Sequence, residues 1–346
     1  MKVLLIKMSS LGDVVHALPA VTEAAQRVKN LELTWVVEEG FADIARAHPA
    51  VHRVIPVAIR RWRGSITSSG AQFRDFVRQL RDTSYDRVID TQGLIKSAAV
   101  SLLAHGSRAG YSEDCAREPL AAWCYRDRYR IAVDQHAIDR QKQLMAAALG
   151  YQADETVDYG LVGSNTDLPA TGRQRLLLLH GTTWPSKEWP LSCWQALAAL
   201  AAASDYELLV PAGSESEARR AAQILGKHRG RVLAGLSLAA LMAEIRDCQA
   251  VVSVDTGLGH LAPALGVPVI GLFGATSPTL TGMKGSHASV LVSDHIPCIP
   301  CRERACQYPK PVESSSIYPP CMEQTTPEKV WQLLQRQIGS MGTRPD

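Results

Sequence analysis

The sequence contains no apolar segment long enough to cross a membrane. Between Lys2 and Lys7 only four consecutive residues are apolar, too few for the core of a signal peptide, and the run from Ala196 to Ala203 is also far too short for a spanning helix. The net charge is only +3 at pH 7, so nothing indicates a general nucleic-acid-binding protein. We therefore expect a cytoplasmic protein that binds no nucleic acid. Any association with a membrane should be peripheral, at the inner face of the inner membrane.

Apolar residues are not depleted, since hydrophobic side chains make up 46% of the chain and charged ones 21%, as in a soluble globular enzyme. At 346 residues the chain exceeds the length at which one hydrophobic core usually stops growing. Two domains are therefore expected. Basic residues are dense at 60–63 and 126–130, and such clusters suggest an anionic ligand.

Short apolar runs rich in valine, leucine and isoleucine recur along the chain, each followed by a helical pattern. Because the runs are uninterrupted rather than alternating, they indicate strands that are covered on both faces. Alternation of strands and helices then gives parallel sheets. The runs are 3–6, 33–37 and 88–89 in the first half, and 176–179, 208–210, 251–254 and 269–273 in the second.

A polar stretch at 151–172 separates the two series of strands and has little periodicity, which indicates an interdomain linker. We place domains at 1–155 and 173–326, with the linker at 156–172. Residues 327–346 should form an amphipathic C-terminal helix and tail, because a proline at a helix start precedes apolar residues at helical spacing. Both domains should be α/β and doubly wound, facing a cleft, with ligands at the carboxyl ends of their strands.

The loop after the first strand places an acid at a helix start. Asp13 falls in the first helical turn, at the predicted cleft. Ser10 and Asp13 have the spacing of a capping box, so a structural role explains the acid without any catalysis. A proton acceptor is the alternative, since the helix terminus should keep Asp13 ionised. His16, further along, is most simply a partly exposed helix residue.

Three arginines, Arg60, Arg61 and Arg63, follow a strand-like run that should end in a cleft-side loop. Their planar donors suit carboxylate or phosphate groups. A solvated surface run is the alternative explanation.

Two loops in the second half carry groups suited to a nucleotide. Thr182, Thr183 and Lys187 follow a strand in a loop that offers backbone amides, two hydroxyls and one ammonium group to a diphosphate. Farther on, Glu215 and Glu217 lie after another strand, where a carboxylate can accept from ribose hydroxyls. Ordinary negative charge at a helix start explains both glutamates equally well.

The strongest of the donor-like motifs is the segment 253–262, which runs from a buried strand directly into a helix. Gly257 and Gly259 allow the backbone to approach a ligand closely, while Thr256 and the helix amides can hold phosphate. A helix cap is the structural alternative. Aspartic proteases also contain Asp-Thr-Gly, but they are rich in β-structure, and the strand-to-helix setting of Asp255 argues against that interpretation.

Four of the eight cysteines are clustered near the C-terminus between prolines. Their spacing can form a tetrahedral thiolate site, in which the prolines prevent helix formation. Four reduced cysteines in a loop are the alternative, since the second interval is irregular for zinc. The clustered cysteines are Cys298, Cys301, Cys306 and Cys321. The other four, Cys115, Cys124, Cys193 and Cys248, show no ligand-like spacing and should be buried small hydrophobes.

Five separated motifs, in order, resemble a known family. The segment Lys7-Met8-Ser9-Ser10-Leu11-Gly12-Asp13-Val14 resembles the start of the lipopolysaccharide heptosyltransferases of glycosyltransferase family 9. Segments 35–41, 54–63, 90–97 and 116–121 are similar to the heptosyltransferase I group in particular. The resemblance extends to about residue 297. It implies a GT-B type fold of two Rossmann-like domains, the first binding the acceptor and the second binding ADP-heptose.

The activity implied by this resemblance is that of an inverting glycosyltransferase. It would move heptose from ADP-L-glycero-D-manno-heptose onto the Kdo of Kdo2-lipid A, in the synthesis of the lipopolysaccharide inner core, without a catalytic cofactor. The cysteine cluster departs from heptosyltransferase I and is similar to heptosyltransferase II and to the autotransporter heptosyltransferases, in which the metal is iron, so a structural zinc or iron ion is expected. Two alternatives stay open: a heptosyltransferase with another acceptor, either a later core heptose or an autotransporter protein, and a nucleotide-binding regulator without turnover.

The resemblance also implies roles for individual residues. The acid that matches Asp13 is the general base that deprotonates the acceptor hydroxyl. The residues implied to bind the acceptor are Arg60, Arg61, Arg63, Arg117, Gln135, His136 and Arg140. Those implied to bind the donor are Thr182, Thr183 and Lys187 at phosphate, Glu217 at the ribose, Asp255 at the heptose hydroxyls, and Thr256, Gly257 and His260 close by.

Overall fold

The chain forms two compact units, Met1–Leu161 and Val162–Asp346, each with its own six-stranded parallel sheet. The structure is a computed structural model that describes residues 1–62, 66–161, 174–293, 295–309 and 317–342. Most of the predicted linker, from residue 162 onward, and the last four residues lie outside this range. Among the described residues, no helix combines the length and the apolar character needed to cross a bilayer.

The sheet of the first unit has the strand order β3-β2-β1-β4-β5-β6. Its strands are β1 (Lys2–Ile6), β2 (Glu32–Glu38), β3 (Val51–Val57), β4 (Ser84–Asp90), β5 (His105–Tyr111) and β6 (Asp127–Tyr129). Its helices are α1 (Leu11–Val15), α2 (Leu18–Arg27), α3 (Ala42–Arg46), α4 (Ile59–Trp62), α5 (Ile66–Arg81), α6 (Ile95–Leu103) and α7 (Ala137–Leu149), with 3-10 helices at Glu39–Phe41 and Pro119–Cys124.

The central strand β1 explains why apolar runs predicted this sheet. After the exposed Lys2, its residues Val3 to Ile6 are buried, because β2 and β4 flank the strand in register and helices cover both faces. The chain builds outward from β1 to β3 and then returns to place β4 on the other side of β1. The order therefore reverses between β1 and β4, and the loops that follow these two strands meet at the edge where doubly wound sheets bind ligands.

The second unit has the strand order β12-β11-β10-β7-β8-β9, so its reversal lies between β7 and β10. Its strands are β7 (Arg175–Leu179), β8 (Glu207–Ala212), β9 (Gly230–Ala234), β10 (Ala250–Val254), β11 (Val269–Phe273) and β12 (Ala288–Val292). Its helices are α8 (Leu191–Ala203), α9 (Glu215–Leu225), α10 (Leu238–Arg246), α11 (Leu261–Ala264), α12 (Pro278–Thr281) and α13 (Pro327–Gly342), with 3-10 helices at Pro185–Lys187, Gly257–His260 and Pro320–Met322.

The C-terminal helix α13 is part of the core of the second unit. It begins at Pro327, as the pattern predicts, and its Val330 and Leu334 are fully buried in the same cluster as Trp189 and Trp194. The two tryptophan rings meet edge to face, with their centroids 4.9 Å apart. This packing ties the start of α8 to the C-terminal helix and supports the loop that precedes α8.

Candidate active site

Asp13 lies in the first turn of α1, at the carboxyl end of β1. Its Oδ2 atom accepts two hydrogen bonds from Ser10, one from the backbone N–H at 2.9 Å and one from the hydroxyl at 2.7 Å. The contact expected from the capping-box spacing is therefore formed. The side chain of Asp13 stays 29% exposed, so the carboxylate is fixed by Ser10 and still accessible to a ligand.

A buried lysine lies beside this carboxylate. Lys7 Nζ is 4.0 Å from Asp13 Oδ1, and it donates to the backbone carbonyl of Thr91 at 3.3 Å. Burial lowers the pKa of Lys7, and the charge of Asp13 opposes that effect. For Asp13, burial acts to raise the pKa, but Lys7, the hydrogen bonds from Ser10 and the charge of Arg117 together hold the pKa below its ordinary value. Asp13 is thus ionised at neutral pH.

The loop after β4 is joined to the loop that carries Asp13. Gln92 Oε1 accepts the Met8 N–H at 2.7 Å, and Lys96 Nζ donates to the Ser9 hydroxyl at 3.2 Å. Asp90, which is fully buried, accepts the Tyr125 hydroxyl at 2.6 Å. The bonds of Gln92 and Lys96 join the loops after β1 and β4, where the strand order of the sheet reverses, into one polar network.

Residues at the start of α7 lie on the same side of the first unit as α1. The rings of His136 and His16 are 5.4 Å apart. His136 caps α7, since its Nδ1 accepts the Ile138 N–H at 3.2 Å. Arg140 donates to a backbone carbonyl, that of Cys115, at 2.8 Å. The structure therefore brings His136 near α1, whereas Gln135, which lies just before α7, pairs with Gln143 on that helix.

Arg60 and Arg61 belong to the short helix α4 rather than to a loop. Apolar packing explains the difference, because Trp62 at the end of α4 contacts the rings of Phe73 and Phe76 on α5. Arg61 forms an exposed ion pair with Glu39 at 2.9 Å. Neither the side chain of Arg60 nor any part of Arg63 is among the described residues.

Lys187 and Asp255 form an ion pair at the reversal of the second sheet. Lys187 ends a 3-10 turn in the loop after β7, and its Nζ lies 2.7 Å from Asp255 Oδ2, directly after β10. The ammonium also lies 4.5 Å from the ring centroid of Trp184. The hydroxyl of Thr276 donates to the same carboxylate oxygen. Both side chains are mostly buried, at 16% and 9% exposure, so this pair is well ordered.

The structure distinguishes the two glutamates that the sequence left equivalent. Glu217 Oε2 accepts the Gly213 N–H at 2.7 Å, and its other carboxylate oxygen lies against Gly181, where an added Cβ atom would be only 2.9 Å away. Glu215 pairs with Arg219 on the solvent side of α9 and is 89% exposed. Only Glu217 adjoins the loop after β7.

The other residues that we expect to bind the donor lie close in sequence to Lys187 or to Asp255. Thr182 Oγ1 accepts the Trp184 N–H at 3.4 Å, while Thr183 is exposed. The motif after β10 forms a 3-10 turn, Gly257–His260, and His260 is buried. Close packing also favours glycine at position 259, because a Cβ atom there would lie 2.2 Å from Met283 Cε. Thr256 precedes this turn as its N-cap.

Comparison with known proteins identifies the family. The profile of "Glycosyltransferase family 9 (heptosyltransferase)" matches residues 73–311, which is more than half of the chain. The chain belongs to glycosyltransferase family 9. The resemblance seen in the sequence motifs is thereby confirmed, and so is the expectation of a glycosyltransferase.

Curated and solved members of glycosyltransferase family 9 are similar to the chain over nearly its whole length. The lipopolysaccharide heptosyltransferase 1 of Pseudomonas aeruginosa is 44% identical over 341 residues, covering 95% of this chain and 96% of that protein. The solved E. coli heptosyltransferase WaaC with ADP has a TM-score of 0.85 at 38% identity, covering 97% of this chain and 100% of the solved one. WaaC with ADP-2-deoxy-2-fluoro heptose gives 0.82 at 37% identity, with 97% and 99% covered. The predicted α/β class with two doubly wound parallel sheets, GT-B type, is confirmed.

The cysteine cluster of this family 9 member lines one cavity. Cys298, Cys301, Cys306 and Cys321 all contribute to its wall. Cys301 Sγ is 3.9 Å from the carbonyl oxygen of Ala275, and burial raises the pKa of Cys321 to about 12. In the described part of the chain, however, no three or more His, Cys, Asp or Glu side chains are arranged to hold a metal ion. The metal site therefore stays a prediction.

The other cysteines mostly follow expectation. Cys115, Cys193 and Cys248 are buried, whereas Cys124 is half-buried beside the small cluster of Ala121 and Ala122. None of these four lines the cavity of the cysteine cluster.

Sequence reasoning missed several residues of the site. Lys7, Asp90, Gln92 and Lys96 all lie at the two strand ends of the first unit, as shown above. In the second unit Thr276 was missed. The only signal in the sequence for these residues was their position. Lys7 directly follows β1, Asp90 ends β4, and Gln92 and Lys96 follow β4.

Proposed function

We propose that the chain is an inverting heptosyltransferase that transfers heptose from ADP-L-glycero-D-manno-heptose to the Kdo of Kdo2-lipid A. The observation that carries the proposal is Asp13, a fixed, ionised and accessible carboxylate at the reversal of the first sheet. Relatives named lipopolysaccharide heptosyltransferase 1 support the choice of substrates, since they match more than four-fifths of the chain at 43% and 44% identity.

The predicted domain at residues 173–326, within the second unit, provides the donor site in this proposal. Lys187 pairs with the diphosphate, together with Thr182, Thr183, Thr256 and the amides near Gly257. Glu217 accepts from the ribose hydroxyls, because it alone of the two glutamates adjoins the loop after β7. Asp255 binds the heptose hydroxyls, with His260 close to the donor.

The predicted domain at residues 1–155, within the first unit, provides the acceptor site. The acceptor carries a carboxylate and phosphates, and the first unit offers cations on several elements. The charges of Arg117 and Arg140 reach Lys7 beside Asp13. Arg60, Arg61, Arg63, Gln135 and His136 complete the proposed acceptor-binding set.

The proposed reaction is a direct displacement. The acceptor hydroxyl attacks the anomeric carbon of the heptose while Asp13 takes its proton. The new C–O bond forms as the bond to the ADP oxygen breaks, so the configuration at the carbon inverts. Because the pKa of Asp13 is low, the proton moves as the new bond forms rather than before it. Lys187 and backbone amides stabilise the negative charge on the departing ADP, and no catalytic cofactor is proposed.

We also propose a structural zinc or iron ion at the cysteine cluster. Four thiols on one cavity wall supply the ligand chemistry that these metals prefer. Binding requires the thiols to lose their protons and to move closer together, so metal binding and ordering of this segment would be coupled.

The place of action that we propose is the cytoplasmic face of the inner membrane. Support comes from an exposed apolar stripe on α6, formed by Ile95, Ala99 and Leu102, whose spacing puts them on one helix face. The adjoining 3-10 helix exposes Leu120 and Trp123, the latter at 73%. Apolar side chains of this kind can enter the headgroup region of a bilayer.

A heptosyltransferase with another acceptor is the second candidate, since the cysteine cluster is the feature by which the sequence departs from the heptosyltransferase I group. One experiment separates the candidates. The protein is incubated with ADP-heptose and Kdo2-lipid A, and the products are read by mass spectrometry. One added heptose is the expected result. ADP-heptose turnover only with heptosylated core or autotransporter protein would overturn the proposed acceptor, and no transfer to any of them would support a regulator.

A further inference from the structure

The cysteine-rich segment 298–306 contacts two loops of the second unit that lead to the Lys187–Asp255 ion pair. One contact is made by the residue before Lys187, and the other by the residue before Thr276. Cys298, Cys301 and Cys306 share a cavity with both of these residues, Ser186 and Ala275.

The first contact is a double hydrogen bond at Ser186. Its hydroxyl donates to the carbonyl oxygen of Glu303 at 2.6 Å, and its backbone N–H donates to the carbonyl oxygen of Arg304 at 3.3 Å. Ser186 is only 2% exposed and lies inside the 3-10 turn Pro185–Lys187. Because the turn is short, fixing Ser186 also fixes the backbone of Lys187.

The second contact reaches the carboxylate side of the ion pair. The Arg302 N–H donates to the carbonyl oxygen of Ala275 at 2.7 Å. The next residue, Thr276, donates its hydroxyl to Asp255 Oδ2, the atom that also receives Lys187. Arg302 has a positive φ of 56°, a conformation that a non-glycine residue adopts at a cost, so surrounding contacts must hold it in place.

We propose that Ser186 is a positioning residue for the donor site, which joins the turn carrying Lys187 to the cysteine-rich segment. Lysine has a long flexible side chain, and a fixed backbone reduces the entropy lost when its ammonium binds a diphosphate. The segment 298–306 is then part of the donor site through its hydrogen bonds to Ser186 and Ala275, which directly precede Lys187 and Thr276. This inference rests on the proposed function, in which Lys187 binds the diphosphate of the donor.

The test is calorimetric titration with ADP of Ser186→Ala, Lys187→Ala and the double variant. Removing the hydroxyl deletes one hydrogen bond and leaves the Glu303 carbonyl without it, so ADP should bind about 3- to 10-fold more weakly in Ser186→Ala. In the Lys187→Ala background the same change should have almost no effect, because the two residues act through one interaction. Donor KM should rise with the dissociation constant, and kcat should fall as well, because Lys187 also stabilises the charge that develops on the departing ADP.

Two matched variants control for packing and folding. Ser293→Ala removes another buried hydroxyl of the second unit, 1% exposed and without a hydrogen-bond partner among the described residues, and should leave ADP affinity unchanged. Ser186→Thr keeps the hydroxyl and should stay within about 2-fold of the parent. If Ser186→Ala fails to fold, Ser186→Cys in reducing buffer replaces it, since a thiol is a weak donor of similar size, and it should weaken ADP binding in the same direction.

Two outcomes would overturn the inference: unchanged ADP affinity in folded Ser186→Ala or Ser186→Cys, or an equal loss in the presence and absence of Lys187. A failure of the proposed donor site looks different, because Lys187→Ala alone would then bind ADP as the parent does.

Discussion

Lys7 and Asp13 form a pair in which the carboxylate is accessible and the ammonium group is buried. The Nζ and Oδ1 atoms lie 4.0 Å apart, and the two side chains are 7% and 29% exposed. Ser10 occupies the other carboxylate oxygen, so each oxygen of Asp13 has its own neighbour. The pair predicts a pH dependence. Removing the ammonium in Lys7→Met should raise the pKa of Asp13, because the charge of Lys7 helps to lower it.

In the proposed mechanism Asp13 acts as the ionised carboxylate, so activity should fall as pH drops through its pKa. The acidic limb of kcat/KM should therefore move to higher pH in Lys7→Met and stay in place in Lys7→Arg. A pH–rate profile with saturating donor and varied acceptor checks this. An acidic limb at the same pH in folded Lys7→Met would contradict it.

Replacing Asp13 should separate catalysis from capping. We expect Asp13→Ala to lose about 100- to 10,000-fold in turnover, with ADP affinity within a few-fold of the parent, because the base acts on the acceptor. Asp13→Asn keeps an oxygen that can accept from Ser10 but is not a base, so it should be equally inactive and more stable to heat than Asp13→Ala. Initial rates, calorimetry and thermal unfolding measure the three quantities. Near-normal turnover in either variant would remove Asp13 from the mechanism.

The two glutamates of α9 give a matched pair for the donor site. Glu217→Ala should weaken ADP binding about 10- to 100-fold, because a hydrogen-bonded charged acceptor for the ribose is lost. Glu215→Ala removes an equally acidic residue two positions away whose partner is Arg219, and it should stay within about 2-fold. Equal effects in the two variants, measured by titration calorimetry, would mean that general negative charge rather than a ribose contact is responsible.

The cysteine cluster predicts a metal with a structural role. A site closed by four thiolates has no vacant position for substrate, so it should not carry out the transfer. Cys301→Ser should lose zinc or iron in elemental analysis and unfold at lower temperature, whereas Cys124→Ser, outside the cavity, should keep both metal and stability. Chelation of exchangeable magnesium should leave activity intact. The metal site would be refuted if unmutated protein, purified in reducing buffer, contained no stoichiometric metal and had all four thiols titratable. The proposed transfer reaction would not be affected by that result.

The exposed apolar side chains of α6 and of the adjoining 3-10 helix predict binding to membranes. Replacing Leu120 and Trp123 together by serine should lower the fraction that sediments with vesicles containing anionic phospholipid, by about 10-fold in partition coefficient. Leu236→Ser, at an exposed leucine of the second unit, serves as the control and should bind like the parent. Turnover of acceptor in detergent should be alike in all three proteins. Unchanged sedimentation of the double variant would show that Leu120 and Trp123 do not dock on the membrane.

Much of the fold could be predicted because local pattern and tertiary burial agree. Residues 3–6 and 176–179 are uninterrupted apolar runs, and both lie inside central strands flanked by neighbours on either side. The helix at Arg60 and Arg61 was not predicted, since it depends on the packing of Trp62 against residues more than ten positions away. Contacts of that kind leave no local periodicity.

Residues of the candidate site were likewise predicted where a local signal exists and missed where only the fold brings them together. Asp13 was found because its spacing from Ser10 is a local signal. Lys7 was missed because only the fold shows that it is buried beneath the carboxylate, with its ammonium bonded to the carbonyl of Thr91 on another strand's loop. The choice between Glu215 and Glu217 likewise required Gly181, more than thirty residues away.

The two sheets share one strand order, 3-2-1-4-5-6 when each unit is counted from its own first strand. Asp13 and Lys187 therefore follow equivalent strands. Asp90 ends β4, and Asp255 directly follows the equivalent strand β10. Each unit also closes its own hydrophobic core. In the proposed division of substrates, the loops after β1 and β4 can therefore change to accept a new sugar without disturbing the core that supports the donor site.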